Sequence, residues 1–259
     1  MKIAGASSPV TICLLGRFRV VKAGAPVTVR PGGKTEALLC HLALQEHYRA
    51  PREWLLEAVW PESDTSHATQ ALNSLVHATR KSFGDALAGA APVVYTDGGY
   101  QLNTEAGVAV DIGEFDTLVD RAERGFRHGD VPAAVQCALH AISMYQGDLC
   151  AVDGVRALVE RERLRAVYLS LLGQVADHYF REKDYSNALR YSLLLLRHDP
   201  CREDAHRLVM RCYVRFGQRA QAFRQYRTCE RMLESEFDAR PEPLTEALYD
   251  QVRTAPGTI

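Results

Sequence analysis

The stretch Ser66–Phe83, SHATQALNSLVHATRKSF, separates apolar from polar residues by helical face more cleanly than any other segment of the chain. Its apolar side recurs at the spacing of a helix docked on a core, through Ala68, Leu72, Leu75, Val76, Thr79 and Phe83. The other side carries Gln70, Asn73, Ser74, His77, Arg80 and Lys81. Short donors and acceptors followed by two cations can read base edges and hold phosphate, but a solvated surface helix has the same composition.

The segment before this stretch predicts a small sheet and two helices. Short β-prone runs at 10–15, 17–21 and 27–29 are separated by glycine and proline, as in an antiparallel meander. A helix is predicted over 34–47, and a second one opens at Pro51 after a turn at 48–50. The polar loop that follows ends in Asp64, Thr65 and Ser66, each able to cap the next helix.

The segment after it predicts a β-hairpin. Two β-prone runs, 93–95 and 100–102, flank Thr96-Asp97-Gly98-Gly99, which we interpret as a Gly-Gly turn with Asp97 as a turn former. A sheet, three helices and a hairpin occur in this order in a winged helix-turn-helix, whose third helix enters the major groove while the hairpin reaches the minor groove or backbone. The expected DNA-binding residues are Thr69, Gln70, Asn73, Ser74, His77, Arg80, Lys81, Thr96 and Tyr100, with Arg80 and Lys81 placed near the backbone.

The composition changes near residue 105, and from Asp111 onward the patterns are helical. Helices are predicted over 114–126, 131–145, 155–183, 185–198, 202–216 and 218–237. Ala176, Tyr179 and Ala188 recur as Met210, Tyr213 and Ala222, an offset of 34 residues that is typical of tetratricopeptide (TPR) repeats. Ala134 fits an earlier, irregular unit. Such an array either docks a peptide in its groove or serves dimerisation and architecture.

The fold class that follows is mainly α with a small β component. An N-terminal winged helix-turn-helix, residues 1–104, precedes an all-α TPR-like array, residues 105–259. Ten Lys and Arg against eight Asp and Glu up to Asn103 make the first part +2 and leave −3 for the rest, an asymmetry too mild to identify partners.

Several motifs resemble those of a known family. Leu14-Leu15-Gly16, the LLEAVW run ending at Trp60, Ala71-Leu72 through Arg80-Lys81-Ser82-Phe83-Gly84, and 96–102 resemble the OmpR-type winged helix of SARP-type bacterial transcriptional activators. Asp148-Leu149, the run 161–164, GQRAQAFRQYRTCERML and the ending 237–244 resemble the bacterial transcriptional activator domain that follows it. The chain departs from the family at His77-Ala78-Thr79, where a run like SRLRR would place one more arginine.

The resemblance implies an activator that recruits RNA polymerase at direct repeats near a promoter. The expected partners are double-stranded DNA, RNA polymerase and a second copy of the chain. Two alternatives remain open: a protein-interaction adaptor with a degenerate winged helix, of which Ala78 would be a symptom, and the front part of a larger signalling regulator. His77 is expected to contact a base or phosphate rather than to sense pH.

Other classes of protein find little support. Gly33-Lys34-Thr35 resembles the end of a phosphate-binding loop, but Thr28 stands where the loop needs its first glycine. No metal spacing or catalytic motif is present, so we expect neither enzyme activity nor a metal or other cofactor. Cys40 and His41 are interpreted as structural. The apolar runs are too short for a membrane span, and seven scattered cysteines indicate reduced thiols and a cytoplasmic location.

Overall fold

The structure, a computed structural model, describes residues 8–150 and 154–259. The strands are β1 (Val10–Cys13), β2 (Arg19–Lys22), β3 (Ala25–Val27), β4 (Arg49–Pro51), β5 (Val93–Thr96), β6 (Gly99–Leu102) and β7 (Val108–Val110). The helices are α1 (Lys34–Ala43), α2 (Arg52–Val59), α3 (Thr65–Phe83), α4 (Asp111–His128), α5 (Val131–Met144), α6 (Val155–Arg181), α7 (Tyr185–His198), α8 (Glu203–Arg215), α9 (Arg219–Phe237) and α10 (Pro243–Thr254). The predicted fold class, mainly α with a small β component, is confirmed.

Two sheets and three helices form the front of the chain. The first sheet has the strand order β3-β2-β1-β7, with β7 parallel to β1 and the other pairs antiparallel. The second has the order β4-β6-β5 and is antiparallel throughout. Helices α1, α2 and α3 pack on one another, and α1 and α3 also contact the second sheet. The winged helix-turn-helix predicted from the sequence is therefore present.

Asp111, the first residue of α4, ties that helix to the end of β1. Its carboxylate accepts hydrogen bonds from the backbone N–H groups of Leu14, at 2.9 Å, and Leu15, at 3.0 Å. Burial raises the pKa of this carboxyl group, while those hydrogen bonds oppose the rise. Because a buried N–H group needs a partner, Asp111 satisfies two donors where β1 ends.

Four elements were missed or misplaced by the sequence prediction. Strand β3 covers Ala25–Val27, so it begins within the residues predicted to separate two strands and ends where the run predicted over 27–29 begins. Residues 48–50 do not form a simple turn, because a 3₁₀ turn at Glu46–Tyr48 ends α1 early and leads into β4. Strand β7 is short and pairs with β1, which lies almost a hundred residues earlier in the chain. Helix α10 lies beyond the last predicted helix, although Pro243 at its start and its buried Leu248 and Val252 are helix signals.

The chain divides into two compact units. One runs to Thr117 and resumes over Ser143–Leu164, and the other comprises Leu118–Ile142 and Arg165–Ile259. The chain first passes from one unit to the other after Thr117, which is later than the domain boundary predicted between residues 104 and 105. That boundary stays a prediction. None of the helices in the described ranges combines the length and the apolar character that crossing a membrane requires.

The second unit contains the predicted repeat. Ala188 and Ala222, the small residues of the two repeats, are fully buried, as is Met210. Helices α7, α8 and α9 pack in sequence, and α10 adds Leu248 and Val252 to the cluster around Met210 and Ala222. Ala134, predicted as the small residue of an earlier unit, is also fully buried. The array thus has the layered packing of TPR-like repeats.

Candidate nucleic-acid interface

Helix α3 presents the predicted polar face to solvent. Its N-terminus is capped by Asp64, which accepts hydrogen bonds from the N–H group and the hydroxyl of Ser66, and these bonds lower the pKa of the carboxyl group. Ala68, Leu72, Thr79 and Phe83 are buried, whereas Leu75 and Val76 are half-buried. All six residues of the polar face are exposed: Gln70, Asn73, Ser74, His77, Arg80 and Lys81.

The polar face divides into two stripes with different surroundings. The outer stripe consists of Gln70, Ser74, His77 and Lys81, spaced at i, i+4, i+7 and i+11 on one line of the helix. The Ser74 hydroxyl donates to the carbonyl of Gln70 at 2.9 Å. Within the described chain, the side chains of Gln70, His77 and Lys81 form no hydrogen bond or ion pair, so they are available to a ligand.

The inner stripe consists of Asn73 and Arg80 together with the half-buried Thr69 at its edge, and it is held by neighbouring elements. The Thr69 hydroxyl accepts a hydrogen bond from the Arg52 guanidinium at 3.0 Å, and the Asn73 Oδ1 accepts one from the Tyr100 hydroxyl at 3.0 Å. Arg80 donates to the carbonyl of Gly89 at 3.3 Å. These predicted contact residues therefore already have partners within the protein.

The predicted hairpin is present, with a different turn. Asp97 and Gly98 are its two central residues, and both have positive φ, as the twist of a two-residue hairpin favours. The Gly-Gly turn is wrong in detail because Gly99 is the first residue of β6. The guanidinium of Arg49 donates to the carbonyls of Thr96 and Asp97 at 3.0 and 2.8 Å, which holds the tip in place.

Thr96 and Tyr100, the predicted contact residues of the hairpin, lie in opposite environments. Thr96 is exposed near the tip, while Tyr100 is only 6% exposed. The ring of Tyr95 lies 4.9 Å from that of Tyr100 and is 55% exposed. Tyr95 thus presents an aromatic surface next to α3 that the sequence prediction did not include.

Sequence reasoning also missed Arg49 and Arg52. Arg49 binds the tip of the hairpin, and Arg52 binds Thr69 of α3. Both follow α1, in and just after β4, whose pairing with β6 brings them to the hairpin and to α3. The strand was predicted as a turn, and this error removed the only signal that could have found them. Beyond the end of α3, Lys22 pairs with Asp85 at 2.6 Å, and this hydrogen bond lowers the pKa of the carboxyl group.

The alternative sites considered from the sequence have structural roles. The ammonium group of Lys34 donates to the carbonyl of Val59 at 2.6 Å, so it caps α2 and is not presented to a phosphate. The thiol of Cys40 is buried 3.6 Å from that of Cys150, and this contact together with burial raises its pKa. The described residues contain no group of three or more His, Cys, Asp or Glu side chains placed to hold a metal ion.

The helical array has a shallow cleft of about 180 Å³ on α6, α7 and α8. Of the three ionisable residues on its wall, Arg202 and Asp204 pair with each other at 2.9 Å, and the third is Asp177. Peptide docking in the groove of the array stays a prediction.

These features define the class of the protein: a winged helix-turn-helix with an exposed polar third helix, together with a TPR-like helical array. Residues 110–253 match the family described as "Bacterial transcriptional activator domain". The match covers more than half of the chain, which therefore belongs to this family, and the resemblance to SARP-type activators is confirmed.

Two curated relatives support this assignment. Regulatory protein AfsR of Streptomyces coelicolor is 28% identical over 220 residues, which are 85% of this chain and 22% of that protein. AfsR of Streptomyces griseus is 27% identical with the same coverage. The chain therefore spans about a fifth of the length of these relatives.

A solved structure shows the same fold. Mycobacterium tuberculosis EmbR, solved in complex with a low affinity phosphopeptide, matches with a TM-score of 0.72 and 19% identity. The match covers 95% of this chain and 65% of EmbR.

Proposed function

We propose that this protein binds duplex DNA at specific sites and activates transcription by recruiting RNA polymerase. The observation that carries the proposal is the outer stripe of α3, where an amide, a hydroxyl, an imidazole and an ammonium group lie on one exposed line. Helix α3 would enter the major groove, with Gln70, Ser74 and His77 facing base edges and Lys81 facing phosphate.

The hairpin complements this arrangement. Thr96 and Tyr95 are exposed on β5, which contacts α3, so a duplex that receives α3 would have its backbone or minor groove beside the hairpin. Polymerase recruitment, dimer formation and a cytoplasmic location complete the proposal. They rest on membership of the activator family and on the scattered thiols.

A protein-interaction adaptor is the second candidate, and one observation favours it. Ala78 is exposed on α3 where family members place an arginine, and Arg80 is already bonded to Gly89. With few free cations, α3 would hold few phosphates. The two functions differ in salt dependence, because each phosphate neutralised contributes about −0.9 to the slope of log affinity against log salt concentration.

The test is a salt titration of binding to a fluorescent duplex selected from a random-sequence pool. We expect wild-type affinity to fall steeply with salt. Lys81→Gln should weaken binding to all duplexes alike and make the slope shallower by about 0.9, since one phosphate contact is lost.

Arg224→Gln is the matched control. It removes one exposed positive charge from α9, outside the proposed interface, and should leave both affinity and slope unchanged. A wild-type slope near zero, or a Lys81→Gln variant indistinguishable from wild type, would contradict the proposed binding mode and favour the adaptor.

A further inference from the structure

The hydrogen bond between the hairpin and α3 constrains how Asn73 can meet a base. The Tyr100 hydroxyl donates to Oδ1 of Asn73 at 3.0 Å, while Asn73 itself is exposed on α3. The tyrosine is buried, so its hydroxyl has a fixed position from which to hold the carboxamide. The amide N–H₂ group of Asn73 is then directed away from Tyr100.

The surroundings of Tyr100 leave it little freedom to move. It pairs with Ala50 of β4 on one side and with Tyr95 of β5 on the other, in the centre of the three-stranded sheet. Arg52 binds Thr69, one helical turn before Asn73, so this guanidinium is engaged next to the Tyr100–Asn73 pair. Two side chains from outside α3 thus hold two successive turns of its inner stripe.

This arrangement changes the expected base preference. An unconstrained asparagine commonly reads adenine with both groups, accepting from N6 and donating to N7. An asparagine whose Oδ1 already accepts from tyrosine acts chiefly as a donor. In the major groove, guanine presents acceptors at O6 and N7, thymine at O4 and adenine at N7, whereas cytosine presents only its N4 donor.

We propose that Tyr100 is a positioning residue that makes Asn73 a donor and thereby selects against cytosine at one position of the bound site. The inference rests on the proposed DNA binding and deepens it. It assigns to the buried hairpin tyrosine a role in sequence preference without contact to DNA.

Tyr100→Phe tests the proposal because it removes the hydroxyl and keeps the ring. Single-base variants of the selected duplex would be compared by competition binding. At one position, wild type should bind duplexes with cytosine about tenfold more weakly than duplexes with the other bases, the size of one good base contact. In Tyr100→Phe this discrimination should fall to about twofold or give way to a preference for adenine, because the freed Oδ1 can accept from cytosine N4 or adenine N6. Base preference at the other positions should stay unchanged.

Two further variants make the test specific. Asn73→Asp keeps an oxygen for Tyr100 but replaces the donor with an acceptor, so preference at the same position should shift to cytosine or adenine. Tyr100→Phe in an Asn73→Ala background should change nothing further at that position. Tyr249→Phe, which removes the hydroxyl of a partly buried tyrosine on α10, outside the proposed interface, is the matched control and should keep the wild-type preference.

Some results would overturn the inference alone. These are an unchanged base preference in Tyr100→Phe, or a loss of affinity spread equally over every position, which would indicate a merely structural role. Thermal melting of each variant shows whether it is folded. If Tyr100→Phe does not fold, Asn73→Asp tests the same contact. A wild-type protein that binds no duplex would overturn the proposed function and this inference with it.

Discussion

Buried polar side chains in this protein depend on specific partners, and His206 shows what this means for stability. The residue is 2% exposed on α8. Its Nε2 donates to the carbonyl of Pro200 at 2.8 Å, and its Nδ1 accepts from the amide of Gln225 at 2.6 Å. Burial lowers the pKa of the imidazole, although the Pro200 carbonyl, Glu203, Asp199 and Asp204 oppose this shift. The neutral ring is therefore part of the fold.

The first prediction concerns acid stability. A histidine whose pKa is lower in the folded state contributes fully to the free energy of unfolding above its unfolded pKa of about 6.5. This contribution is lost as the pH falls through the folded pKa. We expect the free energy of unfolding to decrease on acidification below about pH 6.5, with a limiting slope of about 1.4 kcal/mol per pH unit from this residue.

Urea unfolding at several pH values measures this effect. His206→Gln removes the titrating group, so it should be less stable than wild type at pH 8 but should lose less stability between pH 7 and pH 5. Gln70→Ala provides the control, since it changes an exposed residue that does not ionise and should keep the wild-type pH dependence. Parallel pH curves for wild type and His206→Gln would contradict the assignment.

At the interface, the sequence predicted which residues of α3 are exposed but not which of them form hydrogen bonds with other elements. Periodicity correctly placed every residue of the polar face of α3 in solvent, because exposure follows from the 3.6-residue repeat. It could not show that Thr69 and Asn73 are bonded to Arg52 and Tyr100, since these partners come from other elements. Whether any of these residues contacts DNA stays a prediction.

At the scale of elements, helices were predictable and short strands were not. Helix α7 has the bounds that the sequence predicted, and α6, α8 and α9 differ by one or two residues at their ends. A helix satisfies its hydrogen bonds within itself, so its signal is local. Strands β4 and β7 have three residues each and depend on partners far along the chain.

The crossing of α4 and α5 leads to the second stability prediction. A Cβ atom on Gly125 of α4 would lie 2.8 Å from the Cβ of Ala134 and 3.1 Å from the carbonyl oxygen of Asp130. Gly125→Ala should therefore destabilise the protein by about 1–3 kcal/mol of overpacking, reduced by up to about 1 kcal/mol of gained helix propensity.

Gly173→Ala on α6 is the matched control, because its Cβ would meet Leu195 at an ordinary 3.6 Å. This variant should be as stable as wild type or more stable, by up to about 1 kcal/mol. Chemical denaturation of both variants provides the comparison. Equal stability changes in the two would show that close packing at Gly125 is absent.

For the molecule as a whole, the second unit is completed by a helix that the sequence prediction did not include. Helix α10 covers Met210 and Ala222 with Leu248 and Val252, and it packs on both α8 and α9. The partly buried rings of Phe223, Tyr226 and Tyr249 lie around the same cluster. Without α10, the apolar surface of the last repeat would be exposed to solvent. Terminal repeats generally need a cap that covers such a surface.

Leu248→Ala should accordingly lower the free energy of unfolding by about 2–5 kcal/mol, through lost burial and a cavity. Leu244 lies on the same helix but is 67% exposed, so Leu244→Ala should change stability by less than about 0.5 kcal/mol. Thermal or urea unfolding measures both. A small effect at Leu248 would mean that α10 is not part of the core of this unit.

The sequence alone determined the fold class, the order of elements in the winged helix and the polar face of α3, because helical periodicity, turn residues and a 34-residue repeat are local properties of the chain. Only the tertiary structure decided which polar residues of α3 are available to a ligand. That choice depends on Arg52 and Tyr100, which reach α3 through β4–β6 pairing. A hydrogen bond between residues distant in sequence leaves no periodic trace, so no pattern in the chain could have revealed it.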